Sequence, residues 1–142
     1  YYIYEIDIKE INKMHEYIND LTYDTKKAQK FFAKKLAYLI SPNELSQKIS
    51  EKDEKIILID VRDEASYDDE HIPSAINVPY ERLEKYMSNL SKNQIHILYS
   101  YNQDCLLSAK AALRLTLNEY PSKILMGGFN IWKSFGYDIE ES

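Results

Sequence analysis

The feature that most constrains the fold is a continuous apolar run, Ile56-Ile57-Leu58-Ile59. Because it is mostly β-branched and carries no polar alternation, it is typical of a central strand covered on both faces. From residue 36 onward, short apolar runs of this kind alternate with amphipathic helical patterns. This alternation predicts an α/β domain built on a mainly parallel sheet.

The apolar runs predict five strands and the stretches between them predict helices. The strands are expected at residues 36–40, 56–59, 75–78, 95–99 and 123–125. Ser41, Pro42 and Glu44 form an N-cap, a first-turn proline and a capping glutamate, so a helix should begin there and reach about residue 49. Further helices are expected near residues 66–70, after Pro79, and over 106–117.

The first 35 residues predict a helical extension to this domain, which would then span residues 36–142. Asp7 and Glu10 fit an acidic capping box, and apolar residues follow at three- and four-residue spacing. These residues are Ile11, Met14, Ile18 and Leu21. A second helix is expected from about residue 25 to 35, with Ala28, Phe31, Phe32 and Leu36 apolar among lysines. The simplest expectation is that both helices pack on the same domain.

Composition and charge narrow the class of protein. A chain of 142 residues with 44% apolar content has the size of an ordinary globular domain. Its net charge of −5 comes from interleaved acidic and basic residues, so we expect no nucleic-acid partner. The sequence has neither an apolar signal core nor a run of about 18 apolar residues, so we expect a soluble, cytoplasmic protein without a membrane partner. Its single cysteine, Cys105, fits a reducing compartment.

The candidate functional site is the loop Ser100-Tyr101-Asn102-Gln103-Asp104-Cys105. It lies between a predicted strand and a predicted helix, at a carboxyl edge where parallel sheets bind ligands. A loop that enters a helix N-terminus directs backbone N–H groups and the positive end of the helix dipole at one point. We therefore predict a cradle for an anion or a thiolate.

Five motifs in register resemble those of the rhodanese (sulfurtransferase) family over about residues 36–140. They are Ile59-Asp60-Val61-Arg62, His71-Ile72-Pro73-Ser74-Ala75-Ile76-Asn77-Val78-Pro79, Tyr99-Ser100, Ala111-Ala112 with Leu115, and Gly127-Gly128 with Trp132 and Gly136. The resemblance is strongest to the single-domain subgroup whose loop reads Tyr-Cys-x-x-x-x-Cys. Cys105 matches the second cysteine, and Ser100 occupies the position of the first. The resemblance implies a doubly wound sheet of mainly parallel strands flanked by helices.

The family chemistry requires a nucleophile that Ser100 does not supply. In the family, the first loop cysteine attacks the outer sulfur of thiosulfate or another sulfane donor and holds it as a persulfide. This step needs a group that is ionised near neutral pH and is a good nucleophile toward sulfur. A serine hydroxyl has neither property. Asp104 also opposes a dianionic donor, and the loop lacks Arg and Lys. A polysulfide, a small persulfide or a persulfidated protein would suit this loop better than thiosulfate.

Three functional hypotheses follow from the loop. The favoured one is a rhodanese-like binding or regulatory module without ordinary turnover. The second is an active sulfurtransferase in which Cys105 carries or relays sulfur. The third is that Ser100 replaces a natural catalytic cysteine, which the codon in the source gene would decide.

Cys105 itself has two interpretations. As a reactive thiol, it would have its pKa lowered by the adjacent helix N-terminus. As a small buried residue, it would simply anchor the loop. The anchor is favoured because buried free cysteines are common, and Asp104, which should raise the pKa of the thiol, adds slight support.

Six other motif residues receive structural roles from the resemblance: Asp60, Arg62, His71, Gly127, Gly128 and Trp132. The charged pair should brace loops, the histidine should form structural hydrogen bonds, the glycines should allow close packing and the tryptophan should lie in the core. The cluster Asp68-Asp69-Glu70 is interpreted as a solvated helix end. Glu70 replaces the glycine usual before the family histidine, so that turn is expected to differ.

We expect no metal and no cofactor. His15 and His96 have no cysteine or carboxylate at a spacing that metal sites use. Phosphatases of the same fold need a loop cysteine, five intervening residues and an arginine. This chain has Ser100, Cys105 and Leu106 instead, so phosphatase activity is not expected.

Overall fold

The computed structural model describes residues 7–142, and the chain divides into two compact units with a boundary between Leu36 and Ala37. Helix α1 (Ile8–Tyr23) and most of helix α2 (Thr25–Tyr38) belong to the first unit. Asp7 caps α1 by accepting a hydrogen bond from the Lys9 backbone N–H at 2.9 Å.

The second unit contains a five-stranded parallel sheet. Its strands are β1 (Leu39–Ile40), β2 (Ile56–Asp60), β4 (Ile76–Asn77), β5 (Ile95–Tyr99) and β6 (Ser122–Leu125). They lie in the order β1-β6-β5-β2-β4. Two further short strands, β3 (Glu70–His71) and β7 (Glu140–Glu141), form a separate antiparallel pair. The mixed α/β architecture with a mostly parallel central sheet is the fold class that the sequence predicts.

Helices connect these strands and flank the sheet. They are α3 (Pro42–Ser50), α4 (Glu64–Asp69), α5 (Leu83–Tyr86), α6 (Leu107–Leu117) and α7 (Gly128–Ser134), with 3-10 helices at Tyr80–Arg82 and Met87–Asn89. Helix α3 begins as the sequence predicts, because the Ser41 hydroxyl accepts from the Glu44 backbone N–H at 3.2 Å and Pro42 lies in the first turn. Within residues 7–142, no helix combines the length and the apolar character needed to cross a membrane.

Two hydrophobic cores cover the two faces of the sheet. Successive strand residues point to opposite faces, and β2 accordingly sends Leu58 into one core and Ile59 into the other. Strand β5 does the same, with Ile97 in the first core and Leu98 in the second. The central strands are thus buried on both faces, which explains why their sequences are continuous apolar runs.

The structure corrects several predicted boundaries. The strand predicted at 36–40 is wrong for its first three residues, because α2 continues through Tyr38 and β1 contains only Leu39–Ile40. The helix predicted near 66–70 is Glu64–Asp69, and Glu70 instead enters β3. Helix α7 and the pair of strands β3 and β7 were not predicted.

Candidate functional site

The loop 100–105 begins where the central strand β5 ends. In register, Tyr99 at the end of β5 is paired with Asp60 at the end of β2, and the Val61 backbone N–H donates to the Tyr99 carbonyl at 3.1 Å. The carboxyl ends of two neighbouring parallel strands therefore meet at Ser100, the edge where such sheets bind ligands.

The first and last residues of the loop meet through their side chains. The Ser100 Oγ and Cys105 Sγ atoms lie 3.1 Å apart and share a hydrogen bond. Ser100 is only 1% exposed, whereas Cys105 is partly exposed. Within the described chain, Ser100 Oγ hydrogen-bonds no histidine or carboxylate that could remove its proton. The loop therefore brings the serine hydroxyl to a thiol, not to a base.

The surroundings of Cys105 favour its thiolate. Burial raises the pKa of this thiol, but hydrogen bonds from Ser100 and from the Leu107 and Tyr101 backbone N–H groups lower it, as does the charge of Lys110. The net direction is down, opposite to the one expected from Asp104. The Asp104 side chain is exposed and does not act on the thiol. The first N–H of α6, that of Leu107, is among the groups that lower the pKa of the thiol.

Asn102 sets the shape of the loop. Its side-chain oxygen accepts from the backbone N–H of Asp104 at 2.9 Å and from that of Cys105 at 3.0 Å. These two amides are therefore bonded within the loop and do not face a ligand. Gln103, at the tip, is exposed together with Asn102 and Asp104.

Tyr101 ties the loop to the start of α4. Its hydroxyl donates to the Asp63 carboxylate and lies 3.3 Å from the Ser66 hydroxyl. Asp63 also caps α4 by accepting from the Ser66 backbone N–H at 2.8 Å. Hydrogen bonds, that from Tyr101 first, hold the pKa of Asp63 below its usual value.

A buried ion pair lies beside the loop. The Arg62 guanidinium donates to both carboxylate oxygens of Asp60, with the shortest contact at 2.8 Å, and to the Glu70 carbonyl at 2.6 Å. Its centre is 4.3 Å from the ring centroid of Phe129 and 5.7 Å from that of Tyr101. Burial lowers the pKa of Arg62, but its bonds to Asp60 raise it more. The cation is therefore already paired and is not presented to an anionic ligand.

Helix α7 packs directly on the loop. The Phe129 backbone N–H donates to the Ser100 carbonyl, and that of Asn130 donates to the Tyr101 carbonyl, both at 2.9 Å. Gly128 has φ +64°, and a Cβ there would lie 2.9 Å from both the Asn102 nitrogen and the Ser100 carbonyl oxygen. Only glycine allows this approach of the two backbones.

The remaining motif residues lie in structural settings. His71 bonds the Tyr67 carbonyl at 2.7 Å and Glu140 at 3.0 Å, which joins β3 to β7. Trp132 is buried, and its ring N–H donates to the Asp138 carbonyl at 2.8 Å.

Glu70 and Gly127 each contact a residue of α7. Glu70, expected to be a solvated helix end, forms an ion pair with Lys133 at 2.6 Å. Gly127, with φ +80°, is packed beneath Ile131. Over residues 7–142, His, Cys, Asp and Glu side chains form no group of three or more able to hold a metal.

Two contacts that shape the site, those of Asp63 and Phe129, had no signal in the sequence. Asp63 is 38 residues from its partner Tyr101, and Phe129 is 29 residues from Ser100. Asp63 could be recognised only as an N-cap before a short helix. Neither contact follows from a local pattern, because both depend on how the sheet brings its loops together.

The sequence profile of the rhodanese-like domain matches residues 41–135. Together with the parallel sheet and the loop at its carboxyl edge, this match confirms the resemblance inferred from the motifs. The chain belongs to the rhodanese-like domain family.

Similar proteins agree with this assignment. The thiosulfate sulfurtransferase GlpE of Coxiella burnetii is 30% identical over 85 residues, covering 58% of this chain and 77% of that protein. The BH2092 protein of Bacillus halodurans has 32% identity and a TM-score of 0.80, covering 83% of this chain and 87% of that structure. A rhodanese-like domain protein from Staphylococcus aureus, at 24% identity and a TM-score of 0.64, covers 74% of this chain and 98% of its own and supports the fold alone.

Proposed function

We propose that this domain binds sulfane-sulfur carriers without ordinary rhodanese turnover and acts as a binding or regulatory module. Its ligand is a small sulfane-sulfur donor or a persulfidated protein. The observation that carries the proposal is the environment of Ser100, a buried hydroxyl whose side-chain partner is the Cys105 thiol 3.1 Å away. The free thiol agrees with a reducing, cytoplasmic compartment.

Ordinary turnover through Ser100 lacks a base. For thiosulfate, a nucleophile forms a bond to the outer sulfur, the S–S bond breaks, and sulfite leaves with the electron pair. Ser100 would first have to lose its proton, and its neighbour Cys105 is an acid whose own pKa is lowered. The thiolate of Cys105 therefore forms before any alkoxide of Ser100.

The charges around the loop disfavour thiosulfate as a donor. The loop contains no Lys or Arg, and the Tyr101 hydroxyl is hydrogen-bonded to the Asp63 carboxylate. Arg62 is paired with Asp60. Lys110 on α6 acts on the thiol, but a single cation does not balance the two negative charges of thiosulfate. A persulfide or a polysulfide carries less charge per sulfur and meets less repulsion.

A second candidate function is a sulfur carrier at Cys105. The lowered pKa and the partial exposure of the thiol favour it. The Cys105 thiolate would attack the terminal sulfur of a polysulfide, the S–S bond would break, and the shortened polysulfide would leave with the electron pair. The persulfide formed on Cys105 would carry its negative charge on the outer sulfur, beside the N-terminus of α6, where the helix dipole favours an anion.

Sulfur transfer to cyanide tests both candidates, with thiosulfate and polysulfide as donors. The chain as given should transfer sulfur no faster than the uncatalysed reaction. Ser100→Cys should gain activity, mainly with polysulfide, because the scaffold is intact. Turnover by the unmodified chain that Cys105→Ala abolishes would establish the carrier instead. Turnover that Ser100→Ala abolishes while Cys105→Ala retains it would contradict both candidates.

A further inference from the structure

The N-terminal helices α1 and α2 both have an apolar face that is open to solvent. Neither helix contains a buried residue in the described chain. The face of α1 combines Ile11, Met14, Ile18 and Leu21, and that of α2 combines Ala28, Phe31, Phe32 and Leu36. The six largest exposed members of the two faces, Met14, Ile18, Leu21, Phe31, Phe32 and Leu36, are between 38% and 77% exposed. Helices of 16 and 14 residues are only marginally stable in water unless such a face is covered.

The two helices do not cover one another within one chain. One residue, Asp24, separates them, and it forms hydrogen bonds with the end of α1 and with the start of α2. Its N–H donates to the Leu21 carbonyl at 3.0 Å, and its carboxylate accepts from the Lys27 N–H at 3.1 Å. An antiparallel helix pair needs a connection of about two to five residues. This link is therefore too short for α1 and α2 to fold back on each other.

The apolar positions mirror each other about this link. Counted from Asp24, Leu21, Ile18 and Met14 lie 3, 6 and 10 residues before it. The α2 positions, Ala28, Phe31, Phe32 and Leu36, lie 4, 7, 8 and 12 residues after it. Because the rise per residue is the same in both helices, an antiparallel arrangement of two copies brings these positions opposite each other. Leu21 then faces Ala28 of the other copy, Ile18 faces its two phenylalanines, and Met14 faces its Leu36.

We propose that α1 of one chain packs antiparallel on α2 of a second copy, forming a two-fold symmetric dimer. In this dimer, α1 of each chain covers α2 of the other, so the apolar faces of both helices are buried in both chains. The same surface is used on each copy, as a closed isologous contact requires.

Charge selects this pairing over one between two α2 helices. Helix α2 contains five lysines and no acidic residue, whereas α1 contains three acidic residues and two lysines. Pairing α2 with α2 would bring ten lysines together, and pairing it with α1 avoids this.

The available area is sufficient for a dimer. Each of the six large apolar side chains offers roughly 100 Å² when about half exposed. Covering them in both copies removes roughly 1,200 Å² from water, which is the lower end of the range for specific interfaces.

Sedimentation velocity of the full chain tests the proposal. We expect a concentration-dependent dimer. Phe32→Asp should raise its dissociation constant at least about 30-fold, as loss of a central aromatic anchor does. Ala33→Asp makes the same change of charge at an exposed position away from the apolar face and should change the constant by less than about threefold. A chain that stays monomeric at about 100 µM would overturn the proposal, as would equal effects of the two variants.

Cross-linking tests the antiparallel register independently of stability. In a Cys105→Ser background, one chain carries Ile18→Cys and another carries Phe32→Cys. Mixing them under mild oxidation should give a disulfide between the two different chains. Disulfides only between identical chains would contradict the pairing of α1 with α2. A lower unfolding midpoint for Phe32→Asp in a chain that stays monomeric would also exclude the dimer.

Discussion

Adding one methyl group at Gly128 should disturb the candidate site, and the same change at Gly136 provides a matched control. Both glycines lie in the left-handed region, with φ +64° and +80°. The two environments differ in what a Cβ would meet. At Gly128 it would lie 2.9 Å from the Ser100 carbonyl oxygen and the Asn102 nitrogen, both backbone atoms. At Gly136 it would meet no heavy atom of residues 7–142 within 4 Å.

The two costs can be separated. A non-glycine residue in the left-handed region costs about 1–2 kcal/mol of the free energy of unfolding, and this is the whole effect expected for Gly136→Ala. Gly128→Ala adds the cost of overpacking against backbone that cannot rotate away, about 1–3 kcal/mol. We therefore expect Gly128→Ala to be the more destabilising of the two by at least about 1 kcal/mol.

Urea unfolding followed by far-UV circular dichroism measures both losses, and iodoacetamide alkylation of Cys105 reports on the loop. The rate of alkylation should change in Gly128→Ala, because the loop must move, and should stay unchanged in Gly136→Ala. Equal losses of stability, together with unchanged alkylation in both variants, would refute the contact between α7 and the loop.

Three further predictions concern charged and titratable groups. Arg62→Met leaves the buried Asp60 carboxylate unpaired and should lower the free energy of unfolding in urea by about 3–5 kcal/mol. Arg82→Met breaks an exposed ion pair with Glu64 of 3.5 Å and should lower it by less than about 1 kcal/mol. Similar losses in the two variants would contradict the account. Burial lowers the pKa of His96 below 6.5, so the unfolded chain binds the proton more readily, and the His96 contribution to stability is present above pH 6.5 and lost below it. The chain should therefore lose more stability between pH 7.5 and pH 5 than His96→Asn does, and parallel losses would argue against this origin. Ser100→Ala removes a hydrogen bond to the thiolate and should raise the pKa of Cys105. The pKa is measured from alkylation rates against pH. An unchanged pKa would contradict a hydrogen bond between these two side chains.

The central strands could be predicted because burial on both faces leaves an unbroken apolar run. Strand β5 has the predicted bounds, and β2 differs by one residue. The run from Leu36 to Ile40 was misassigned because a short apolar run has no periodicity that separates helix from strand. Strands β3 and β7 have two residues each and pair with each other although they are far apart in the sequence, so no local sequence pattern predicts them.

The loop could be located from the sequence, but its electrostatics could not. Asp104, adjacent to Cys105, suggested a raised thiol pKa, yet its side chain lies in solvent, where charges are screened. Ser100 is five residues away from Cys105, but its hydroxyl contacts the thiol and lowers the thiol pKa. Distance along the chain is therefore a poor guide to electrostatics inside a folded loop, where hydrogen bonds and the charge of Lys110 together outweigh the effect of burial on the thiol pKa.

The central claim is that Ser100 does not carry sulfur in this domain. Intact-mass spectrometry after brief treatment with polysulfide tests it most directly, comparing the chain with Ser100→Ala and Cys105→Ala. The account predicts that any sulfur added to the chain can still be added to Ser100→Ala, and that this sulfur is absent from Cys105→Ala and is released by cyanide. Added sulfur that disappears in Ser100→Ala but persists in Cys105→Ala would contradict it.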